Sequence, residues 1–211
     1  MQNSEIEVHE ARINPWTSVW LHPRKTVQFV MNYKTGSFVL FVAAITGIIH
    51  FLDQAASKDL GETWNIVAIL LVSLIAGPII GVIALYLISG IYHAFSLMFR
   101  GSGTFEESRK AFTVSNIIIV IGGLIWIPDL LILGQGNFVS DYDFSVGQYM
   151  WMIISLLVNS VVGIWSLVAL IATFAEVHRF PAWMAALVVF LPIIILVVIV
   201  LFIVAVTTSL F

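Results

Sequence analysis

The sequence predicts an all-α fold: a polytopic membrane helical bundle with five transmembrane helices, preceded by short amphipathic amino-terminal helices. Three observations carry that prediction. Of 211 residues, 60% are apolar and only 10% charged, too few charges for a soluble domain of this length. Long stretches carry no Asp, Glu, Lys or Arg at all, notably Thr35 to Leu52 and Thr63 to Phe99. The cations also segregate. Of nine Lys and Arg, Arg12, Arg24, Lys25, Lys34, Arg100, Arg109, Lys110 and Arg179 fall in the amino-terminal segment or in the loops after the second and fourth spans, and Lys58 alone falls elsewhere. Five spans put those eight cations on one side, which the positive-inside tendency makes the cytoplasm.

Taken in order, residues 1–13 read as a disordered cytoplasmic amino terminus. They lack the basic-then-apolar pattern of a cleaved signal peptide. Residues 14–34 read as interfacial amphipathic helices. Asn14 caps the first with Pro15 at its first position, and His22-Pro23 starts the second. Apolar residues at spacings of three and four, flanked by indoles and cations, suit a helix lying in the headgroup region or packed on the protein's own loops. Residues 35–211 form the membrane domain, with spans at approximately 35–52, 64–99, 111–133, 149–174 and 183–206.

The second span is too long for a single straight crossing. A helix rises about 1.5 Å per residue and the hydrocarbon core is about 30 Å thick. Pro78 lacks an N–H and its ring opposes the carbonyl of Leu74, so Thr63 to Phe99 is either one long kinked helix, the reading preferred here, or a re-entrant pair. Gly101-Ser102-Gly103-Thr104 forms a turn in which Thr104 caps a short helix carrying Glu106, Glu107, Arg109 and Lys110, and the third span follows from Ala111.

The candidate functional residues fall into three groups. Gly77, Pro78 and Gly81 form a kink with a small-xxx-small pair, as Ala43 and Gly47 do in the first span. Such pairs let helix backbones approach, within one chain or between chains. Ser155 and Asn159 share one face of the fourth span with Gly163 and Ser166. They form a bundle-stabilising stripe or, with Asp129, a polar path. Trp16, Trp20, Arg24, Arg109, Glu176 and His178 are the candidate cytoplasmic interaction surface. His50 and Asp53 lie one turn apart at the outer end of the first span and can pair.

Several function classes lack their residues. The chain has no cysteine, so thiol catalysis and thiolate metal sites are excluded. No zinc-protease HExxH, phosphate-binding glycine loop or hydrolase GxSxG occurs, so no catalytic residue, cofactor or metal is expected. The few cations suit membrane orientation better than nucleic acid.

Read together, Asn14-Pro15-Trp16, His22-Pro23-Arg24, Gly77-Pro78-Ile79-Ile80-Gly81, Gly101-Ser102-Gly103-Thr104-Phe105, Ser115-Asn116, and Ala175-Glu176-Val177-His178 with Trp183 resemble stretches of bacterial members of the Ypt-interacting-protein (Yip) family of five-span membrane proteins. The resemblance implies a helical bundle with a cytoplasmic amino terminus and no catalytic residues. Eukaryotic relatives are associated with Rab-type GTPases and vesicle traffic, and some bacterial relatives accompany ABC-type efflux systems. The short amino-terminal region carries no obvious GTPase-binding segment, so the trafficking role is not transferred.

The expected function is therefore a non-enzymatic scaffold or accessory partner of another integral membrane protein, such as an ABC-type transporter. It would sit among lipids in the plasma membrane with its amino terminus cytoplasmic and its carboxyl terminus extracytoplasmic. The alternative is a small-solute or lipid transporter or channel using the polar path. Oligomeric state is not legible at this level.

Overall fold

The computed structural model describes residues 13–210. The expected disorder of residues 1–13 thus falls, apart from Ile13, outside the described residues. Asn14 caps α1 (Pro15–Ser18), its side chain accepting from the Trp16 amide at 3.0 Å. Pro23 opens α2 (Pro23–Tyr33). The helices that follow are α3 (Gly36–Ser57), α4 (Ile66–Met98), α5 (Phe105–Gly122), α6 (Trp126–Ile132), α7 (Val146–Val177) and α8 (Ala182–Leu210). A 3-10 turn at Gly123–Ile125 joins α5 to α6. Counting α5 and α6 together, five stretches among the described residues are long and apolar enough to cross a membrane.

Two boundaries correct or decide the sequence reading. Residues 105–110 are not a separate short helix, because α5 runs without a break from Phe105 through Ala111. Glu106 through Ala111 offers no Gly or Pro to stop it, and Thr104 and Glu107 close a reciprocal capping box at its start. Thr63 to Phe99 contains one unbroken helix, α4, with Pro78 inside it and the Asn65 side chain capping Ala68. At about 1.5 Å per residue α4 is close to 50 Å long, well beyond the hydrocarbon core.

The closest approach in the bundle is between α3 and α4, the helix pair with the most extensive contact. A Cβ built on Gly47 would lie 2.0 Å from the Gly77 carbonyl oxygen, and one on Gly81 would lie 2.1 Å from that of Ala43. Gly77 meets the Ile48 backbone, where a Cβ would come within 2.7 Å of Cα. The two small-residue pairs therefore face each other within one chain. Pro78, half-buried beside them, lines with Ile79, Val82 and Ile83 a groove against Leu40, Phe41 and Ala44 of α3.

The amphipathic α2 turns Thr26, Val27, Phe29 and Val30 inward. With Val19 they join Ala111, Val114, Ile117 and Ile118 of α5 and Ala169, Leu170 and Phe174 of α7 in one core. The α1–α2 segment is thus built onto the ends of α5 and α7. At the opposite face, Gln135 Nε2 donates to the carbonyls of Gly61 (2.8 Å) and Trp64 (2.9 Å), and Trp126 stacks on Phe138. His50 Nδ1 and Asp53 Oδ2 stand 3.7 Å apart there, and Asp53 also accepts from Trp126 Nε1. The last helix is packed only near its start. Ala185, Val188 and Val189 are buried, whereas residues 193–208 are exposed all round.

Replacing Gly77 or Gly81 with Leu is expected to destabilise the bundle by about 3 kcal/mol or more, because backbone atoms rather than flexible side chains occupy the added space. Thermal unfolding in detergent checks this: both variants should unfold at lower temperature than the parent, and an unchanged midpoint in both would contradict the crossing.

Candidate functional site

The ends of α4 and α7 are built alike and lie side by side. α4 ends with the Gly101 amide donating to the Ser96 carbonyl (2.9 Å) and the Arg100 amide to that of Leu97 (3.0 Å). α7 ends with Phe180 donating to Ala175 (2.8 Å) and Arg179 to Glu176 (3.4 Å). These are Schellman closures, which place one residue in the left-handed region. Glycine usually fills that place, but here it is taken by Arg100 (φ 63°) and Arg179 (φ 56°), both exposed.

Between these ends lies the turn from Gly101 to Thr104, in which every amide is bonded. Beyond Gly101, the Ser102 amide donates to the His178 carbonyl (3.5 Å), that of Gly103 to His178 Nδ1 (3.3 Å), and that of Thr104 to Glu107 Oε2 (2.7 Å). The glycines serve close approach. A Cβ on Gly101 would lie 2.6 Å from His178 Nδ1, and one on Gly103 would lie 2.5 Å from Val177 Cγ1.

His178 is the centre of this latch. It is 2% exposed and stacks between Phe174 and Phe180. Its Nε2 lies 3.0 Å from Ser108 Oγ, which also lies 3.1 Å from His93 Nδ1 and 3.0 Å from the Thr104 carbonyl. One assignment satisfies the whole set. His178 Nδ1 accepts from Gly103, so Nε2 carries the proton and donates to Ser108; His93 Nδ1–H donates to the same oxygen, and the Ser108 hydroxyl donates to Thr104. The Ser–His pair is therefore not poised as nucleophile and base, because the histidine's lone pair points at Gly103. Burial, and then the neighbouring His93, push the His178 pKa down to about 4, against a smaller opposing pull from Glu107. The neutral ring that the hydrogen bonds require is thus also the favoured one.

A second polar cluster lies between α6 and α7. Asp129 is 5% exposed, and its carboxylate accepts from Trp151 Nε1 (2.7 Å) and Ser155 Oγ (2.9 Å). Asn159 Nδ2 in turn donates to Ser155 Oγ at 3.4 Å. Asp129, Ser155 and Asn159 are thus one hydrogen-bonded chain, with Asp129 and Ser155 buried and Asn159 exposed. Among the described residues, no group of three or more metal-ligating side chains occurs.

The six residues read as an interaction surface differ in exposure. His178 is buried because the glycine turn closes over it. Trp16 and Trp20 are half-buried: Trp16 packs edge-on against Phe38, and the Trp20 carbonyl accepts from Trp165 Nε1. Arg109 is half-buried too, its guanidinium over the rings of Tyr86 (4.8 Å) and Phe105 (5.2 Å). Glu176 accepts from Gln28 of α2, and Arg24 is exposed. Sequence reasoning missed Ser108, His93 and the arginines at the two helix ends. The doubled pattern of a long apolar run ending in Phe99-Arg100-Gly101 and in His178-Arg179-Phe180-Pro181 was the available signal.

A family model described as the Yip1 domain matches residues 17–204. Neither the curated proteins nor the solved structures give a match.

His178 also makes stability depend on pH. Its folded pKa lies below the ordinary 6.5, so the unfolded chain binds more protons between about pH 6.5 and 4. The contribution is complete above pH 6.5 and is lost as pH falls through that window, an effect of about 1–3 kcal/mol. The thermal midpoint in detergent should fall from pH 7 to pH 4.5, and His178→Gln, which does not titrate, should lower the midpoint at pH 7 while flattening the slope. A slope unchanged by that substitution would remove His178 as its source.

Proposed function

The chain belongs to the Yip1 domain family, and from that membership we propose that it is a non-enzymatic membrane scaffold, an accessory partner of another integral membrane protein, with ABC-type transporters the favoured partner class. It is placed in the plasma membrane with the amino terminus cytoplasmic and the carboxyl terminus extracytoplasmic. The orientation rests on charge. Arg24, Lys25, Lys34, Arg100, Arg109, Lys110 and Arg179 belong to the segments gathered around the latch, and Lys58 belongs to the opposite face.

One observation carries the scaffold reading. Arg100 and Arg179 are held in left-handed backbone on two turns that the Gly103–His178 and Ser102–His178 bonds join. A left-handed conformation costs a non-glycine residue roughly 1–2 kcal/mol. A cation near a helix carboxyl end recovers part of that through the helix dipole. Strain of this kind persists where the surrounding structure imposes it, often at functional positions. Here it presents two guanidinium groups on a fixed platform at the membrane surface, suited to carboxylates on a partner's cytoplasmic face. The solute-path alternative has the Asp129 site against it, because that carboxylate is closed off by its own donors, Trp151 and Ser155.

The test is the double variant Arg100→Gly, Arg179→Gly. Glycine relieves the backbone, so the fold should be as stable as the parent or more stable, by up to about 2 kcal/mol. The integral membrane protein that co-purifies with the parent in near-stoichiometric amount in mild detergent should be lost. Retention of that protein by the variant, or a parent accompanied by lipid alone, would contradict the reading.

A further inference from the structure

Gly47, Gly77, Gly81, Gly122 and Gly123 all meet neighbouring helices, whereas Gly36 and Gly147, in the first turns of α3 and α7, stand in open space at helix starts. Gly163 on α7 is not covered, and a Cβ there would meet nothing within 4 Å. One turn before it lies Asn159, exposed, about 20 Å along the helix from Val146 and about 27 Å from Val177, and so near mid-bilayer. An amide facing hydrocarbon there is costly.

Asn159 is also oriented. Its Nδ2 donates inward to Ser155, which is fixed by the buried Asp129 carboxylate. That leaves the carbonyl oxygen and the second amide hydrogen directed away from the cluster. The chain's own last helix cannot answer them, since residues 192–206 carry no polar side chain.

We propose that this face of α7 is the interface with a second copy of the same chain, in which the two Asn159 amides exchange hydrogen bonds across a two-fold axis. An amide holds one donor and one acceptor side by side, so its complement is another amide turned over. A two-fold axis supplies that arrangement by bringing each residue onto its own counterpart. Gly163 lets the backbones close to the distance the amides need, and Leu156, exposed on the same face, packs beside them. The interface is separate from the arginine platform and does not depend on it.

The chain has no cysteine, so single-cysteine variants report without background. In native membranes treated with an oxidant, Gly163→Cys and Leu156→Cys should each form a disulfide-linked dimer of this chain. Val161→Cys, exposed on the far side of α7, should not. In detergent, Asn159→Leu should weaken self-association roughly tenfold. Gly163→Leu should abolish it while leaving the monomer's thermal midpoint unchanged or higher, because the added side chain meets nothing within the monomer. A monomer at every concentration, cross-linking equal at positions 161 and 163, or cross-linking at 163 to a different protein alone would overturn the proposal.

Discussion

Helices surrounded by lipid gain little hydrophobic free energy from meeting one another, so the bundle depends on the one place where two backbones touch over successive turns. That place is the crossing of α3 and α4 through Ala43, Gly47, Gly77 and Gly81. Dispersion contacts made by main chain rather than by side chains need no rotamer ordering, and glycine provides them at the shortest separation. With α3 and α4 held together, the remaining helices have a fixed wall. α5 packs against both of them, and α7 packs against α5. Residues 193–204 of α8, all large and apolar, are exposed all round.

The second requirement is that polar groups removed from water find partners. At one end of the bundle the solution is the His178 latch, in which two helix ends, a glycine turn, one hydroxyl and two imidazoles satisfy one another. Between α6 and α7 it is the Asp129 carboxylate with its indole and hydroxyl donors. The latch joins α4 and α5 to the end of α7, and the Asp129 cluster joins α6 to α7, each at a defined height, which pins the register that apolar packing alone leaves loose. Only the Asn159 end of the second cluster opens outward, and there the same requirement points beyond the single chain.

Much of the fold was legible because it follows from one-dimensional signals. Charge-free runs mark spans, and Asn14-Pro15 and Thr104 with Glu107 mark helix starts through bonds that reach only a few residues. The short helix expected at residues 105–110 is instead the first turns of α5, which carries its charged residues without a break into Ala111. The latch was illegible for a different reason. Ser108, His93 and His178 come from three helices, and no spacing rule relates them. The glycines of the turn suggested backbone freedom, but their role is to admit the His178 ring and Val177. His178 itself, beside Glu176 and Arg179, looked like part of a charged surface until the turn was seen to cover it.

The central claim is that the turn from Gly101 to Thr104 is a clamped structural element joining two helix ends into one rigid platform. Hydrogen–deuterium exchange of those four amides, in the full-length protein in detergent or nanodiscs near neutral pH, tests it most directly. The account predicts protection comparable to the adjoining helix ends for Gly101, Ser102, Gly103 and Thr104, because each amide is bonded. Exchange at the rate of an open loop, with the helices on either side protected, would contradict it.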